Sequence, residues 1–392
     1  MRTNGIPLLL FALFVLSFSS CVKDNVDSDV NNFHYSDSEY TTLQKSLNLP
    51  EFPLDYRVNL PQHFHDANAQ MSFISNTEAT LGRVLFYDKA LSRNSSVSCA
   101  SCHAQSRAFA DPVALSEGFE GRLTKRNSFA LGAVASFEAT YGSGGGFPSN
   151  RGNIFWDNRA STIQEQSTQT LQDPIEMGMD MDLLEERVSS KDYYKVLFKK
   201  AYGTDRITSS LILEAIAEFI NSMVTSESRF DKGLAKAHSN PFTDFDNFTQ
   251  QENLGKLVYM NSCSGCHGSN FVQVEETSAS NGLDQVYSDE GIGGISGLRS
   301  DKGVFKVPML RNIELTAPYM HDGRFETLEE VVDHYSSGIQ AHDNLHHFLK
   351  AGGDPVKMDF TGEEKAALIA FMRTLTDNTF TSAERFSDPF KN

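Results

Sequence analysis

The chain has 392 residues and a formal net charge of −17, with 40% hydrophobic and 22% charged residues. That balance belongs to a folded globular protein and excludes a disordered chain. The acidic excess argues against a nucleic-acid binder, which needs clustered Lys and Arg, and the length suits two or three domains.

At the N-terminus, Arg2 precedes an almost wholly apolar run from Ile6 to Phe18, followed by Ser19, Ser20 and Cys21. The run is short for a transmembrane helix, which needs about 20 residues, and reads as a secretory signal over residues 1–21. Small residues before Cys21 resemble a bacterial lipobox, with Phe18 where Leu is usual. Cys21 is therefore expected to become a lipidated N-terminus and the sole membrane anchor. The expected location is the periplasmic side of the cell envelope. Residues 22–50, rich in Asp, Asn and Ser, are expected to form a polar tether.

The other four cysteines form Cys99-Ala100-Ser101-Cys102-His103 and Cys263-Ser264-Gly265-Cys266-His267. This is the c-type haem attachment pattern. Two thiols three positions apart form thioethers to the two vinyl groups of one haem, and the next residue offers its imidazole to the iron. A zinc ribbon would place its two CxxC pairs about 15–20 residues apart, far closer than these. A thioredoxin-like pair would need no His. Two covalent haem c groups are expected, with His103 and His267 as proximal ligands.

Helical periodicity dominates the chain between and around these motifs. Leu81, Val84, Leu85 and Asp88 follow helical spacing before the first motif. Met181–Tyr202 and Ile207–Val224 read as further helices. Thr249 and Glu252 form a capping box for a helix running into Cys263. Thr327 with Glu330 opens a helix ending near Gly338, and Thr361 with Glu364 opens the last long one. Gly255 and Tyr259 resemble the small and aromatic residues at the helix crossing of a small cytochrome c. Gly142–Gly146 lacks the following Gly-Lys-Ser/Thr of a phosphate loop. The expected fold is mainly α, with two cytochrome c-like haem domains over residues 51–235 and 236–392.

Longer motifs carry a closer resemblance. Leu81-Gly82-Arg83-Val84-Leu85-Phe86-Tyr87-Asp88, Phe155-Trp156-Asp157-Asn158-Arg159-Ala160 and Asp173-Pro174-Ile175-Glu176-Met177 resemble the bacterial diheme cytochrome c peroxidase and MauG family. So do Phe305-Lys306-Val307-Pro308, Leu310-Arg311-Asn312 and Leu315-Thr316-Ala317-Pro318-Tyr319-Met320-His321-Asp322-Gly323. The resemblance spans roughly residues 75–376. It implies two haem domains facing across an interface, with peroxide chemistry at the first haem and electron transfer at the second.

Many family members carry a distal His on the loop after the first motif. The matching stretch, residues 116–128, has neither His nor Met, so this haem is expected to be five-coordinate at rest. Met177, Met179, Met181 and Met223 are the remaining candidate ligands. Read alone, Gln166 is a polar helix-surface residue and Glu176 a loop carboxylate. The resemblance makes them the pair over the open iron, with Thr170 where a Pro is common between them. Trp156, read alone a core residue, becomes the carrier between the haems.

For the second iron, Leu328, Val331, Val332 and Tyr335 share one helix face. Tyr335 reads alone as a buried tyrosine, but it matches the family's distal-ligand position, which is Met in typical peroxidases and Tyr in MauG. Met320 is the runner-up, followed by His321, His334, His342, His346 and His347. A family calcium site would use backbone oxygens near Thr316 and Pro318, with the family's Asn replaced by Gly132 or Ala133.

The leading expectation is a diheme peroxidase that takes hydrogen peroxide and electrons from a small exported donor, a cytochrome c or cupredoxin. The alternatives are a MauG-like oxidase of a protein or organic substrate, and a non-enzymatic diheme electron carrier.

Overall fold

The computed structural model describes residues 34–67, 73–132 and 154–391. The signal, Cys21 and the Gly142–Gly146 loop lie outside these residues. In chain order the helices are α1 (Asp37–Leu43), α2 (Gln62–Asp66), α3 (Asn76–Tyr87), α4 (Cys99–Cys102), α5 (Ile163–Gln172), α6 (Met181–Ser189), α7 (Asp192–Tyr202) and α8 (Ser209–Asn221). They continue with α9 (Arg229–Lys236), α10 (Gln250–Ser262), α11 (Ser264–His267), α12 (Gly293–Ser296), α13 (Leu328–Asp333), α14 (Gly362–Arg373) and α15 (Asn378–Ser382). Among the described residues, the strands are two antiparallel pairs of two residues each, Ser278–Ala279 with Phe305–Lys306 and Lys350–Ala351 with Asp354–Pro355.

Two helix crossings organise the molecule, α3 on α8 and α10 on α14. Both depend on a glycine. A Cβ on Gly82 would stand 1.8 Å from the Ala215 carbonyl oxygen, and one on Gly255 would stand 1.8 Å from that of Ala367. Each crossing therefore brings backbone against backbone, which only a residue without a side chain allows. In each crossing the glycine-bearing helix, α3 or α10, precedes a CxxCH motif in the chain and its partner follows it. The capping boxes at Thr249/Glu252, Thr327/Glu330 and Thr361/Glu364 are all formed, so the starts of α10, α13 and α14 follow from local hydrogen bonding.

Each crossing carries its own apolar core. The first gathers Leu81, Val84, Leu85 and Phe86 with Phe198, Ile216 and Phe219. The second gathers Val258, Tyr259, Leu368 and Phe371 with Phe230 and Phe271. Packing does not follow a single cut at residue 235. Phe230 and Leu234 of α9 already belong to the second core. The C-terminal residues Phe380 and Phe386 return to the first, where Phe386 lies 6.2 Å from Phe219 between ring centroids.

The tether also differs from expectation. From His34 onward the chain is folded: α1 starts at a formed Ser36/Glu39 capping box, and Tyr35, Leu43 and Leu47 are buried in the first core. The polar residues of this segment face outward while these three anchor it, and burying each large apolar side chain contributes roughly 1.5–3 kcal/mol.

A buried ion pair ties the N-terminal arm to the second core. Arg311 donates two hydrogen bonds of 2.9 Å to Asp231, and His63 of α2 meets the same carboxylate at 3.0 Å.

Candidate active site

The first motif sits on α4, where Ser98 and Ser101 form a capping box. The chain then turns back through Ala108 and Phe109, both with positive φ. This turn brings the Phe109 carbonyl within 2.8 Å of His103 Nδ1. At the second motif the Pro308 carbonyl lies 2.8 Å from His267 Nδ1. In each case Nδ1–H donates to a backbone oxygen, which leaves Nε2 as the lone-pair nitrogen available to iron. Burial holds both imidazoles below the ordinary histidine range, in the neutral form that binds metal.

None of these four cysteines is in a disulfide, which leaves each available for a thioether bond. Burial pushes Cys99 and Cys263 up to about 12 and Cys102 and Cys266 up to about 11. Each motif's two thiols and imidazole line one large cavity. The residues present therefore fit two covalently attached haem groups.

Gln166, Glu176 and Trp156 line the same cavity as Cys99, Cys102 and His103. Gln166 comes from α5 and Glu176 from the loop after it. Asp173 accepts the backbone N–H groups of Ile175 and Glu176, at 2.7 and 3.1 Å, and shapes that loop. Burial raises the Glu176 carboxyl above the ordinary range, and the Thr170 hydroxyl opposes this by hydrogen bonding to it. The same hydroxyl accepts Gln166 Nε2 at 2.9 Å. Thr170 thus holds Gln166 and favours the ionised form of Glu176, which proline could not do.

The 116–128 loop is tied down at both ends. Phe119 N–H donates to the Glu176 carbonyl at 3.0 Å. Arg126 clamps Asp289 from the second half of the chain, through Nε at 2.6 Å and Nη2 at 2.8 Å. Arg126 also pairs with Asp157, which Arg159 holds at 2.9 Å. Of the methionines weighed for the first iron, Met177 reaches the cavity wall, while Met179 and Met223 are buried in the first core.

Trp156 lines both cavities, together with Asn127, Ser128, Phe129 and Lys306. Its Nε1–H donates to the Asn127 carbonyl at 2.9 Å, its own carbonyl accepts Lys306 N–H at 2.8 Å, and the Phe129 ring lies 4.1 Å away.

Tyr335 and Met320 both line the second cavity. The expected single helix changes character here. α13 stops at Asp333, and residues His334–Gly338 form a π-helical turn, a feature frequent at functional sites. Asn281, which sequence reasoning missed, stands between the two candidates. Its Nδ2 donates to the Tyr335 hydroxyl at 3.4 Å and to Met320 sulfur at 3.5 Å. Burial pushes the Tyr335 hydroxyl up to about 12, against the opposing effect of Asn281. His334 meets the Asn281 carbonyl at 3.1 Å, and His321 stacks on Phe305 at 3.8 Å. His321 and His346 also line the second cavity.

The calcium expectation does not fit the residues present. Arg107 Nη2 donates to the Ala317 carbonyl at 2.9 Å, so a guanidinium already supplies positive charge between Thr316 and Pro318. Gly132 offers no side-chain oxygen, and a Cβ there would stand 2.5 Å from the Phe380 ring. Ala133 lies outside the described residues.

A sequence model described as di-haem cytochrome c peroxidase matches residues 76–239. The cytochrome c551 peroxidase of Nitrosomonas europaea is 31% identical, over 76% of this chain and 79% of the relative. The methylamine utilization protein MauG of Paracoccus denitrificans is 30% identical, over 77% and 89%. Among solved structures, a MauG-like protein associated with microbial copper homeostasis is 32% identical with a TM-score of 0.67. That match covers 87% of this chain and 98% of the other. The diheme peroxidase BthA of Burkholderia thailandensis, at 22% identity and TM-score 0.64, covers 82% and 92% and shares the fold.

Proposed function

This chain belongs to the di-haem cytochrome c peroxidase and MauG family, and from that premise we propose that it reduces hydrogen peroxide at the first CxxCH site with electrons passed from the second. Family membership makes it a peroxidase-type oxidoreductase and implies two haem c groups. This sets aside the non-enzymatic carrier.

Bound at His103 and His267, the haems supply peroxide binding, O–O bond cleavage and one-electron storage. The chain supplies the rest. The Glu176 carboxylate takes a proton from one peroxide oxygen and returns it to the other, as general base and then general acid. The Gln166 carboxamide, held by Thr170, orients the peroxide. Trp156, in the wall shared by both cavities, carries electrons between them. The observation that carries this reading is the convergence of Glu176, Gln166 and His103 on one cavity whose wall Trp156 shares with the other.

In this reading Tyr335, which lines the second cavity with His267, would help hold the second haem. The protein is exported and held at a bacterial membrane through Cys21. Among the described residues, no helix is long and apolar enough to cross a membrane. A small exported cytochrome c or cupredoxin is the donor.

A second reading, oxidation of a protein or organic substrate as in MauG, is favoured by Tyr335, because an anionic phenolate stabilises higher oxidation states than a neutral Met does. Steady-state turnover of peroxide with a reduced small cytochrome separates the two. Rapid donor oxidation supports the first, and a fast haem reaction with no donor turnover supports the second.

A further inference from the structure

The two CxxCH sites differ at Nδ1 of the proximal histidine. Among the described residues, His267 Nδ1 has one acceptor, the Pro308 carbonyl at 2.8 Å. At His103 a second oxygen joins the Phe109 carbonyl, since Ser128 Oγ stands 3.2 Å from Nδ1. The positions of the protons fix the direction of this contact. A serine hydroxyl has one proton to give, and that of Ser128 goes to the Cys102 carbonyl at 2.8 Å. A carbonyl has none, so the bond to Phe109 requires the His103 proton to sit on Nδ1. Ser128 Oγ therefore meets His103 with a lone pair, and two oxygens share the Nδ1–H.

The backbone holds the hydroxyl in place. Asn127, the residue before it, donates its N–H to the His321 carbonyl at 2.8 Å and accepts the Trp156 indole N–H at 2.9 Å. Both halves of the chain thus pin the segment that carries Ser128, and Ser128 itself lines both cavities.

An acceptor on Nδ1–H draws that proton outward and raises the basicity of the metal-binding nitrogen. A more basic imidazole stabilises ferric and higher oxidation states of an iron it binds, and so lowers the potential. Peroxide reduction calls for such a donor at the first site, while electron passage at the second does not. We propose that Ser128 is a positioning residue for peroxide reduction. Its hydroxyl is the second acceptor for His103 Nδ1–H, makes His103 a stronger donor than the Phe109 carbonyl alone would, and sets the potential of the first haem correspondingly lower. A purely structural Ser128 would only tie its loop to the Cys102 carbonyl, and its loss would cost stability without moving a potential.

This inference rests on peroxide reduction at the first site, and the test keeps the two apart. Ser128→Ala removes the acceptor, and Ser128→Thr keeps the hydroxyl. Haem-loaded proteins are titrated haem by haem, and resonance Raman spectra of the reduced proteins read the iron–histidine stretch of the first haem. In Ser128→Ala the potential of the first haem should rise and its iron–histidine band should fall in frequency, with the second haem unmoved. Its reaction with peroxide should slow about tenfold, the low end of the roughly 10–100-fold typical of such partners, because the Phe109 carbonyl remains. Ser128→Thr should restore all three. A potential and band equal to wild type in Ser128→Ala, an equal shift at both haems, or a shift that Ser128→Thr does not restore overturns the role of Ser128 and leaves peroxide reduction standing. Wild-type protein that fails to react with peroxide overturns peroxide reduction, while the potentials still decide what Ser128 does to His103.

Discussion

Replacing Glu176 by Gln removes a proton carrier while keeping the size and polarity of the side chain. General acid–base groups contribute about 10²–10⁴-fold, which is roughly 3–5 kcal/mol of barrier at 1.36 kcal/mol per tenfold. Stopped-flow mixing with peroxide should show a loss of that size, with both haem spectra nearly unchanged because no ligand is touched. The pH dependence carries a second signature. Burial raises Glu176 above the ordinary carboxyl value. The base form is therefore lost at higher pH than for an exposed glutamate, and the rate falls as pH falls through this raised value. The Thr170 hydroxyl favours the ionised form, so Thr170→Val should move the acid limb to still higher pH. A hydrogen bond to a charged group is worth about 1.5–3 kcal/mol, and exposure to the cavity reduces this. The expected displacement is about one pH unit. An unchanged rate in Glu176→Gln, or an acid limb that does not move in Thr170→Val, would refute the assignment.

Tyr335→Met should raise the midpoint potential of the second haem, because Met is a neutral ligand that raises potential. A haem-by-haem redox titration reads this, and coinciding potentials would make Met320 the favoured ligand. Asp231→Ala should lower stability by about 3–5 kcal/mol, because it leaves Arg311 buried and unpaired. Urea unfolding of the haem-loaded protein measures the loss. Gly255→Ala should destabilise the second core by about 1–3 kcal/mol or more through overpacking. The new methyl would meet the Ala367 carbonyl, and a thermal midpoint equal to wild type would contradict the backbone contact at that crossing.

Features that depend on local chemistry were legible in the sequence. The CxxCH motifs follow from thioether and imidazole geometry, and three capping boxes were readable because each is closed by residues three positions apart. Gly255 could be read as a crossing glycine, but Gly82, which does the same in the first core, could not be told from other helical glycines. What was not legible depends on residues far apart in the chain. Asn281 meets Tyr335 and Met320 only through the fold. Arg126 and Asp289 meet across the two halves, and Arg107 reaches Ala317 in the same way. The segment from His34 looked like a tether because its polar residues outnumber Tyr35, Leu43 and Leu47, although those three hold it to the core. Phe380 and Phe386 carry no mark that their core is the first one and not the second, beside which they lie in sequence.

The central claim is that the first haem site stands open to peroxide at rest. The direct measurement is stopped-flow mixing of fully oxidised, haem-loaded protein with one equivalent of hydrogen peroxide, followed at the Soret band with no reductant present. The account expects immediate reaction, since the tied-down loop over residues 116–128 offers neither His nor Met to close the site. A reaction that appears only after half-reduction would contradict it.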